Sequence, residues 1–541
     1  MISLYWYTLK HLKPAQIVGR FWFRVYKPTW FKAAVLPRRA IVSAGGFGLK
    51  KSCMVGPFEF VFLNKRMVID PQVGWCDRSR EALWDYNLHY FDDLNAVRGS
   101  EREAWHESYI KAWVSANPIG VSPGWDSYPT SLRIVNWVKF LAGRGGDIGN
   151  MTASLVQQSK WLSQRVEHHL QANHLWANAK ALVFAGAFFE SDEASVWLRK
   201  GAKLISRELD EQVLDDGGHY ERSPMYHAIV LEDILDLIQL DNLYAGILVQ
   251  DLVSKLALKA KVMLRWLSLM SRPDGAPCFF NDSAKGIAPT YNDLKSYAEA
   301  IGLSKAGQEH NTCVDLEPSG FIVAERGIAR LHCNVAPIEP AYQPGHAHAD
   351  TLSFELSIDG YSLVCNSGIS TYAETPNRTY QRSTAAHSTV EVDAENSSEI
   401  WRSFRVARRA RPFDLCVDRG SNQLKISCKH DGYLRLGKGC IHRREWVLGE
   451  NSLSLIDQLE GGFRAAVGRI FLSPEVAVEE TALDSVSLLL MGRPITVSVV
   501  SGSLSLKSAS HFPEFGISVS THCLEIEFES AATEVRITWD H

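Results

Sequence analysis

No Cys-x-x-Cys pair and no dense cysteine framework occurs in this chain of 541 residues; its ten cysteines are scattered from Cys53 to Cys523. That spread argues against a disulfide scaffold and reads as reduced, buried thiols. No window approaches ~18 uncharged apolar residues, so no membrane span is expected. The first thirty residues, MISLYWYTLKHLKPAQIVGRFWFRVYKPTW, hold neither a clean apolar h-region nor a small-residue cleavage site. No signal peptide is therefore expected, which points to the cytoplasm and leaves periplasmic or secreted destinations open. Charge of one sign is not in excess: 57 Lys and Arg face 61 Asp and Glu, a net of −4. With no recognisable nucleic-acid module either, nucleic acid is disfavoured as a partner. What is present is an apolar content of 46% and a charged content of 22%, the balance of an ordinary globular protein. The length implies two or three domains.

The hydrophobic period divides the chain. From about Glu81 to Leu303, apolar residues recur at helical spacing, as in residues 154–170, 174–189, 227–240 and 253–270. Successive helical hairpins joined by short connections suggest a ring or solenoid of helix pairs, and no repeat of fixed length is visible. Near residue 318 the period becomes two, punctuated by Gly, Asn, Asp and Ser, as in TLSFELSIDGYSLVCNSG and REWVLGENSLSLIDQLEG. That alternation is the signature of an antiparallel sandwich. The expected architecture is a helical domain over 1–317 followed by a β-sandwich domain over 318–541, with a ligand site in the cleft between them.

Four segments carry candidate chemistry. GHAHAD places His346, His348 and Asp350 at alternate positions ahead of an apolar strand, so in extended backbone all three project to one face. Three titratable groups on one small face call for a metal, an anion or a reaction. QANHLWANAKAL begins a helical run with Asn173 and His174, where Asn173 has an alternative reading as a helix cap. DDGGHYERSPMYHAIVL holds Tyr220, Glu221, Tyr226 and His227 after a glycine turn, and RSTAAHSTVEVD places His387 just before a strand.

Together, and in this order, the four segments resemble the heparinase II/III-like polysaccharide lyases, from about WDYNLHYF (84–91) to SFRVARRARP (403–412). The resemblance implies an incomplete (α/α) toroid followed by an antiparallel β-sandwich, and cleavage of a uronate-containing polysaccharide by β-elimination. Glycosaminoglycans (heparan sulfate, hyaluronan or chondroitin) and alginate are the substrates it allows. It implies that Asn173, with His174 nearby, neutralises the uronate carboxylate and so acidifies the C5 proton, as an oxyanion hole stabilises developing charge. It casts Tyr226 as general acid and possible base, with Tyr220 as the competing tyrosine, and His346 as base or second proton carrier.

The same resemblance implies one structural divalent metal, zinc or manganese, held by His348, His387 and an acidic residue. Here the sequence departs, since LVCNSG offers Asn366 or Cys365 where an aspartate is expected. Asn366 would bind as a neutral oxygen, Cys365 would favour zinc, and Asp350 is a possible substitute. No organic cofactor is expected.

Arg133, Tyr86, His89 and Glu221 are candidate substrate contacts in the toroid. Arg405 and Arg408, in the cluster WRSFRVARRARP, would clamp carboxylate or sulfate groups of an acidic polysaccharide. Trp84, Trp125, Trp176 and Tyr90 offer sugar-stacking surfaces or helix packing. Two other functions fit the same fold. One is a non-catalytic carbohydrate-binding or capsule-assembly protein. The other is a toroid glycoside hydrolase drawing two acids from Glu221, Asp215 and Asp282.

Overall fold

A computed structural model describes residues 2–28, 35–43, 45–48, 50–142, 146–303 and 312–540. Two helices, α1 (Ile2–Leu9) and α2 (Pro14–Val25), precede a small antiparallel sheet of β1 (Met54–Gly56), β2 (Glu59–Phe62) and β3 (Lys65–Val68). The toroid follows: α3 (Ala82–Leu88), α4 (Glu103–Ala116), α5 (Ser127–Ala142), α6 (Met151–Gln164), α7 (Ala172–Phe188), α8 (Asp192–Gln212), α9 (Pro224–Leu243), α10 (Gln250–Leu269) and α11 (Tyr291–Ala300).

Helix α7 is apolar almost all round and nearly every residue of it is buried, as befits a helix with neighbours on all sides. Helix α9 is equally buried yet carries Glu232, Asp233 and Asp236. Their charges are matched inside the ring. Lys139 and Lys180 reach Asp236 at 2.6 and 2.5 Å, Lys180 also reaches Asp233, and Lys50 reaches Glu232 at 2.6 Å. Buried charge survives here because each ion has a partner within hydrogen-bond distance. Trp84, Trp125 and Trp176 are core residues packed between helices, which settles their role as packing.

The sandwich begins at β4 (Cys313–Leu316), ahead of the expected junction at 318. Strands β4, β5 (Phe321–Arg326), β6 (Ala329–Asn334), β7 (Phe354–Ile358) and β8 (Tyr361–Val364) form one antiparallel sheet in chain order. After a short helix, Pro376–Gln381, come the strand Val390–Val392 and the hairpin Ile400–Trp401/Arg405–Val406. An eight-stranded sheet faces the first sheet, with Leu424–His430, Ile441–Leu448 and Ser452–Glu460 near one end of it. In these three strands alternate residues are buried, the period-two signal read from the sequence. Ile322, Leu331, Phe354 and Leu356 from one side meet Ile426, Trp446, Leu455 and Ile537 from the other in a shared core. The toroid-plus-sandwich architecture is the one expected.

Two local expectations fail for physical reasons. The helix expected over 154–170 stops at Gln164, because the segment after it turns to let the Glu167 N–H donate to Asn178 Oδ1 at 2.8 Å. GHAHAD is not extended strand. It is a run of turns that ends before Phe354. His346 and His348 still converge on one partner, whereas Asp350 points elsewhere, buried beside Asn334 and Arg222 at a cavity of about 10 Å³.

Candidate active site

Three loops of the toroid and three of the sandwich meet in the cleft. The toroid supplies the entry to α7, the entry to α9 and the segment between α10 and α11. Each of these passes through left-handed backbone at non-glycine residues: Gln171 (φ 64°), Ala172 (φ 52°), Arg222 (φ 56°) and Asn281 (φ 56°). Such conformations cost about 1–3 kcal/mol each and cluster where geometry serves a function. Here they aim Asn173, Tyr226 and Asp282 at one another's neighbourhood.

Asp282 is the hub. One oxygen accepts from His346 Nδ1 at 2.9 Å, and the other from His348 Nε2 at 2.8 Å. The buried guanidinium of Arg378 donates to both oxygens. Burial alone would raise this carboxyl, but Arg378 and the two imidazoles hold it well below the usual range. An ionised Asp282 fixes the proton of His346 on Nδ1, leaving Nε2 as a lone pair facing the cleft, the arrangement of a general base.

Tyr226 lies against that imidazole, ring centroids 4.0 Å apart, and its hydroxyl is 3.1 Å from the hydroxyl of Tyr372. Helix geometry sets its position. Ser223 caps α9 by accepting from the Tyr226 N–H, Pro224 opens the helix, and the Ser223 hydroxyl donates to the Asp282 carbonyl at 2.6 Å. Burial, reinforced by Tyr372, pushes the Tyr226 phenol well up, so it holds its proton as a general acid must. Tyr220 instead packs on His219 and Tyr342.

Asn173 is the second residue of α7 rather than its cap, which is Gln171. Among the described residues its amide side chain makes no hydrogen bond, leaving it free for a ligand. His174 Nδ1 lies 3.2 Å from the Glu167 carboxylate and its ring 4.6 Å from that of Tyr128. Burial opposes its charge, but Glu167 outweighs that and raises it. Partly exposed Tyr86, Tyr128 and His174 on the toroid face partly exposed His346, Tyr372 and Phe404 on the sandwich. Glu221 is buried beside the Asn173 N–H with no well-formed hydrogen bond to either oxygen, and burial raises it. It lies behind the cleft wall rather than on it.

Two His–His–Asp–Arg sets lie in the sandwich region, and their difference is informative. In the first, the Gly432 N–H donates to His430 Nδ1, so His430 Nε2 carries a proton for His442 Nδ1 at 3.2 Å. His442 Nε2 then donates to Asp457, itself gripped by Arg444. Every position is satisfied with neutral imidazoles. In the second, His387 Nδ1 must donate to the Ser383 carbonyl at 2.7 Å, and His348 Nε2 must donate to Asp282. That leaves His387 Nε2 and His348 Nδ1 as two lone pairs 3.1 Å apart. The second set is one cation short.

Asn366, fully buried, touches the same corner: its Oδ1 accepts from Ser388 N, and its Nδ2 has no partner. Among the described residues no group of three His, Cys, Asp or Glu is placed to hold a metal ion. Two neutral imidazoles and an amide that can rotate its oxygen inward fit a divalent ion as a weak donor set. Cys365 is buried against His511, 3.8 Å away.

Residues 139–306 match the model described as "Heparinase II/III N-terminus", and residues 311–540 match "Heparinase II/III-like, C-terminal". The chain belongs to the heparinase II/III-like family. A heparin-sulfate lyase of Bacteroides stercoris is 22% identical over 461 residues, covering 76% of this chain and 66% of that protein. One from Pedobacter heparinus is 26% identical over 372 residues, covering 60% and 53%. The chain thus spans less than two thirds of the curated relatives it matches. The crystal structure of heparinase III superposes with a TM-score of 0.69 at 18% identity, covering 86% of this chain and 78% of that one. A chondroitinase AC lyase structure gives 0.51 at 10% identity, covering 98% and 82%. These likenesses establish the shared toroid-and-sandwich fold.

Against this heparinase II/III-like frame, four expected substrate contacts lie elsewhere. Arg133 is fully buried, spread over the Trp113 ring at 3.9 Å and bonded to Gln158, Thr130 and the His89 carbonyl. His89 is a core residue between Trp113 Nε1 and the Trp75 carbonyl, lowered to about 3 by burial. Arg408 is held by Glu399 through two 2.7 Å contacts, and Arg405 lies over Trp401 and Tyr5. Both serve the joint with α1. Tyr86 does reach the cleft and donates to Asp126 at 2.9 Å. Of the acids weighed for hydrolysis, Asp215 lies exposed on a turn, Glu221 is buried and both oxygens of Asp282 are occupied. No pair is left to flank a glycosidic bond.

Proposed function

We propose that this protein is a polysaccharide lyase that cleaves a glycosaminoglycan next to a uronate by β-elimination. The observation that carries the reading is Tyr226 packed against a His346 whose Nδ1 is fixed by Asp282: a protonated acid beside an oriented base, in a cleft. The names of the relatives support a sulfated glucosaminoglycan of the heparan type as substrate, with alginate as the wider alternative.

In this reading the Asn173 amide takes the uronate carboxylate, lowering the cost of the charge that develops as the C5 proton leaves. His346 Nε2 removes that proton. Tyr226 protonates the departing C4 oxygen, with Tyr372 poised to share its hydrogen bond. Elimination leaves a C4–C5 double bond conjugated with the carboxylate, which absorbs in the ultraviolet. A panel of heparan sulfate, hyaluronan, chondroitin and alginate, followed by absorbance and product mass, tests the proposal. Products two hydrogens and one oxygen heavier than the elimination products, with no new absorbance, would mean hydrolysis. Binding without cleavage would mean a non-catalytic protein.

Asn173→Ala is expected to lower kcat more than it raises KM, because carboxylate neutralisation matters most in the transition state. A rise in KM alone would reduce Asn173 to a binding residue.

We further propose that His348 and His387 share one divalent ion, zinc or manganese, with Asn366 as the weak third donor. The ion would supply the missing positive charge and tie two sandwich loops together beneath His346. His387→Ala should lose both the ion and several degrees of thermal stability. Elemental analysis of protein purified without chelators checks this. A metal-free protein with full stability would leave the pair sharing a proton instead.

A further inference from the structure

The first acidic residue of the chain is Glu59, whereas ten Lys and Arg precede it. Within this basic segment, α2 divides its circumference into three sectors. Gln16, Gly19, Phe23 and Tyr26 face the protein. Gln16 is buried and donates to the Tyr342 carbonyl, and the Phe23 ring lies under Arg165 and against His169. A Cβ on Gly19 would sit 3.0 Å from His169, so glycine permits that close seat. The helix is therefore fixed in place, spanning the toroid at His169 and the sandwich at Tyr342.

The second sector is apolar and open. Ile17, Val18, Phe21, Trp22 and Val25 occupy about 140° of the helix at 100° per residue, and they are 58, 68, 71, 58 and 64% exposed. Trp6 and Leu9 of α1 add to the apolar exposure, at 66 and 48%. Isolated surface hydrophobics need no explanation, but a contiguous set on one rigid helix does.

The third sector, flanking the apolar one, holds Arg20 and Arg24. Among the described residues no carboxylate lies within ion-pair distance of Arg20, Arg24, Lys10 or Lys27. Burial first, and then the like charges of Arg405 and Arg24, act to lower Arg20. Helices built this way, with an aromatic apolar face bordered by Lys and Arg, lie in the plane of a membrane interface. We propose that α2, with the exposed side of α1, seats this protein on the surface of an anionic phospholipid bilayer. The charge pattern selects the anionic surface. The apolar face selects lipid over a soluble polyanion, which would need only the arginines. The proposal is independent of the reading as a lyase.

Flotation of the full chain tests it, using vesicles of equal parts phosphatidylglycerol and phosphatidylcholine against phosphatidylcholine alone. The protein should float with the anionic vesicles and not with the neutral ones. Binding should fall about tenfold or more in Phe21→Glu/Trp22→Glu, and also in Arg20→Glu/Arg24→Glu. Brominated lipid should quench tryptophan emission in the wild type, and Trp22→Phe should remove most of that quenching. These side chains are exposed, so unchanged thermal melting and catalytic rate should accompany the loss of binding. Absence of flotation at low salt overturns the proposal. So does flotation that survives Phe21→Glu/Trp22→Glu. Capture of heparan sulfate that is lost on Arg20→Glu/Arg24→Glu, with no vesicle binding, would assign the surface to polysaccharide instead.

Discussion

Tyr226→Phe is expected to lower kcat by about 10²–10⁴-fold while leaving the fold and substrate affinity intact. The substitution removes one oxygen whose only hydrogen bond among the described residues is to the Tyr372 hydroxyl, so packing against His346 survives. Rate loss without loss of stability is the signature of a proton carrier. Tyr372→Phe is the informative companion. It removes the hydrogen-bond partner but not the acid, and should cost distinctly less. Steady-state kinetics by ultraviolet absorbance, paired with thermal melting, gives both readouts. A Tyr226→Phe enzyme with most of its activity would transfer the acid role to Tyr372.

Asp282→Ala is expected to be the most damaging single change to stability, at about 3–5 kcal/mol. The reason is what it leaves behind: Arg378, 1% exposed, loses the one carboxylate it meets among the described residues and stays buried against the Ser403 carbonyl. His346 and His348 lose their anchors in the same step. Denaturant titration measures the loss, and kcat should fall beyond detection because the base is no longer oriented. The double variant Asp282→Ala/Arg378→Met should recover much of the stability and none of the activity. An Asp282→Ala protein with an unchanged denaturation midpoint would show that Asp282 is not the hub.

The architecture was legible in the sequence because period and element length carry it. Residues 227–240 form one long apolar-rich run of helical length, and 441–460 alternate as two half-buried strands must. The trio proposed here, Asn173, Tyr226 and His346, was singled out by motif order. The contacts that arm it were not. Asp282 follows Phe279, Phe280 and Asn281 in a segment with no motif, and its importance depends on His346, His348 and Arg378, sixty to a hundred residues away. The one available signal was an aspartate just after an apolar run, FFND, too common to single out. Tyr372 and Arg378 sit in a stretch that reads as polar loop. Arg133 and His89 failed in the opposite way. Their residue types suggest a cleft, but Trp113 receives one on its face and the other at its indole N–H, and a buried aromatic is invisible to spacing arguments.

Asp282 belongs to the last loop of the toroid, and the three side chains its carboxylate holds belong to the sandwich. Neither half therefore holds the proposed base in place by itself. A toroid joined to a foreign sandwich would present an aspartate with nothing to orient, and the sandwich alone would carry an arginine without a counter-ion. The joint between the domains is closed by a buried ion pair, and neither half is electrostatically complete without the other.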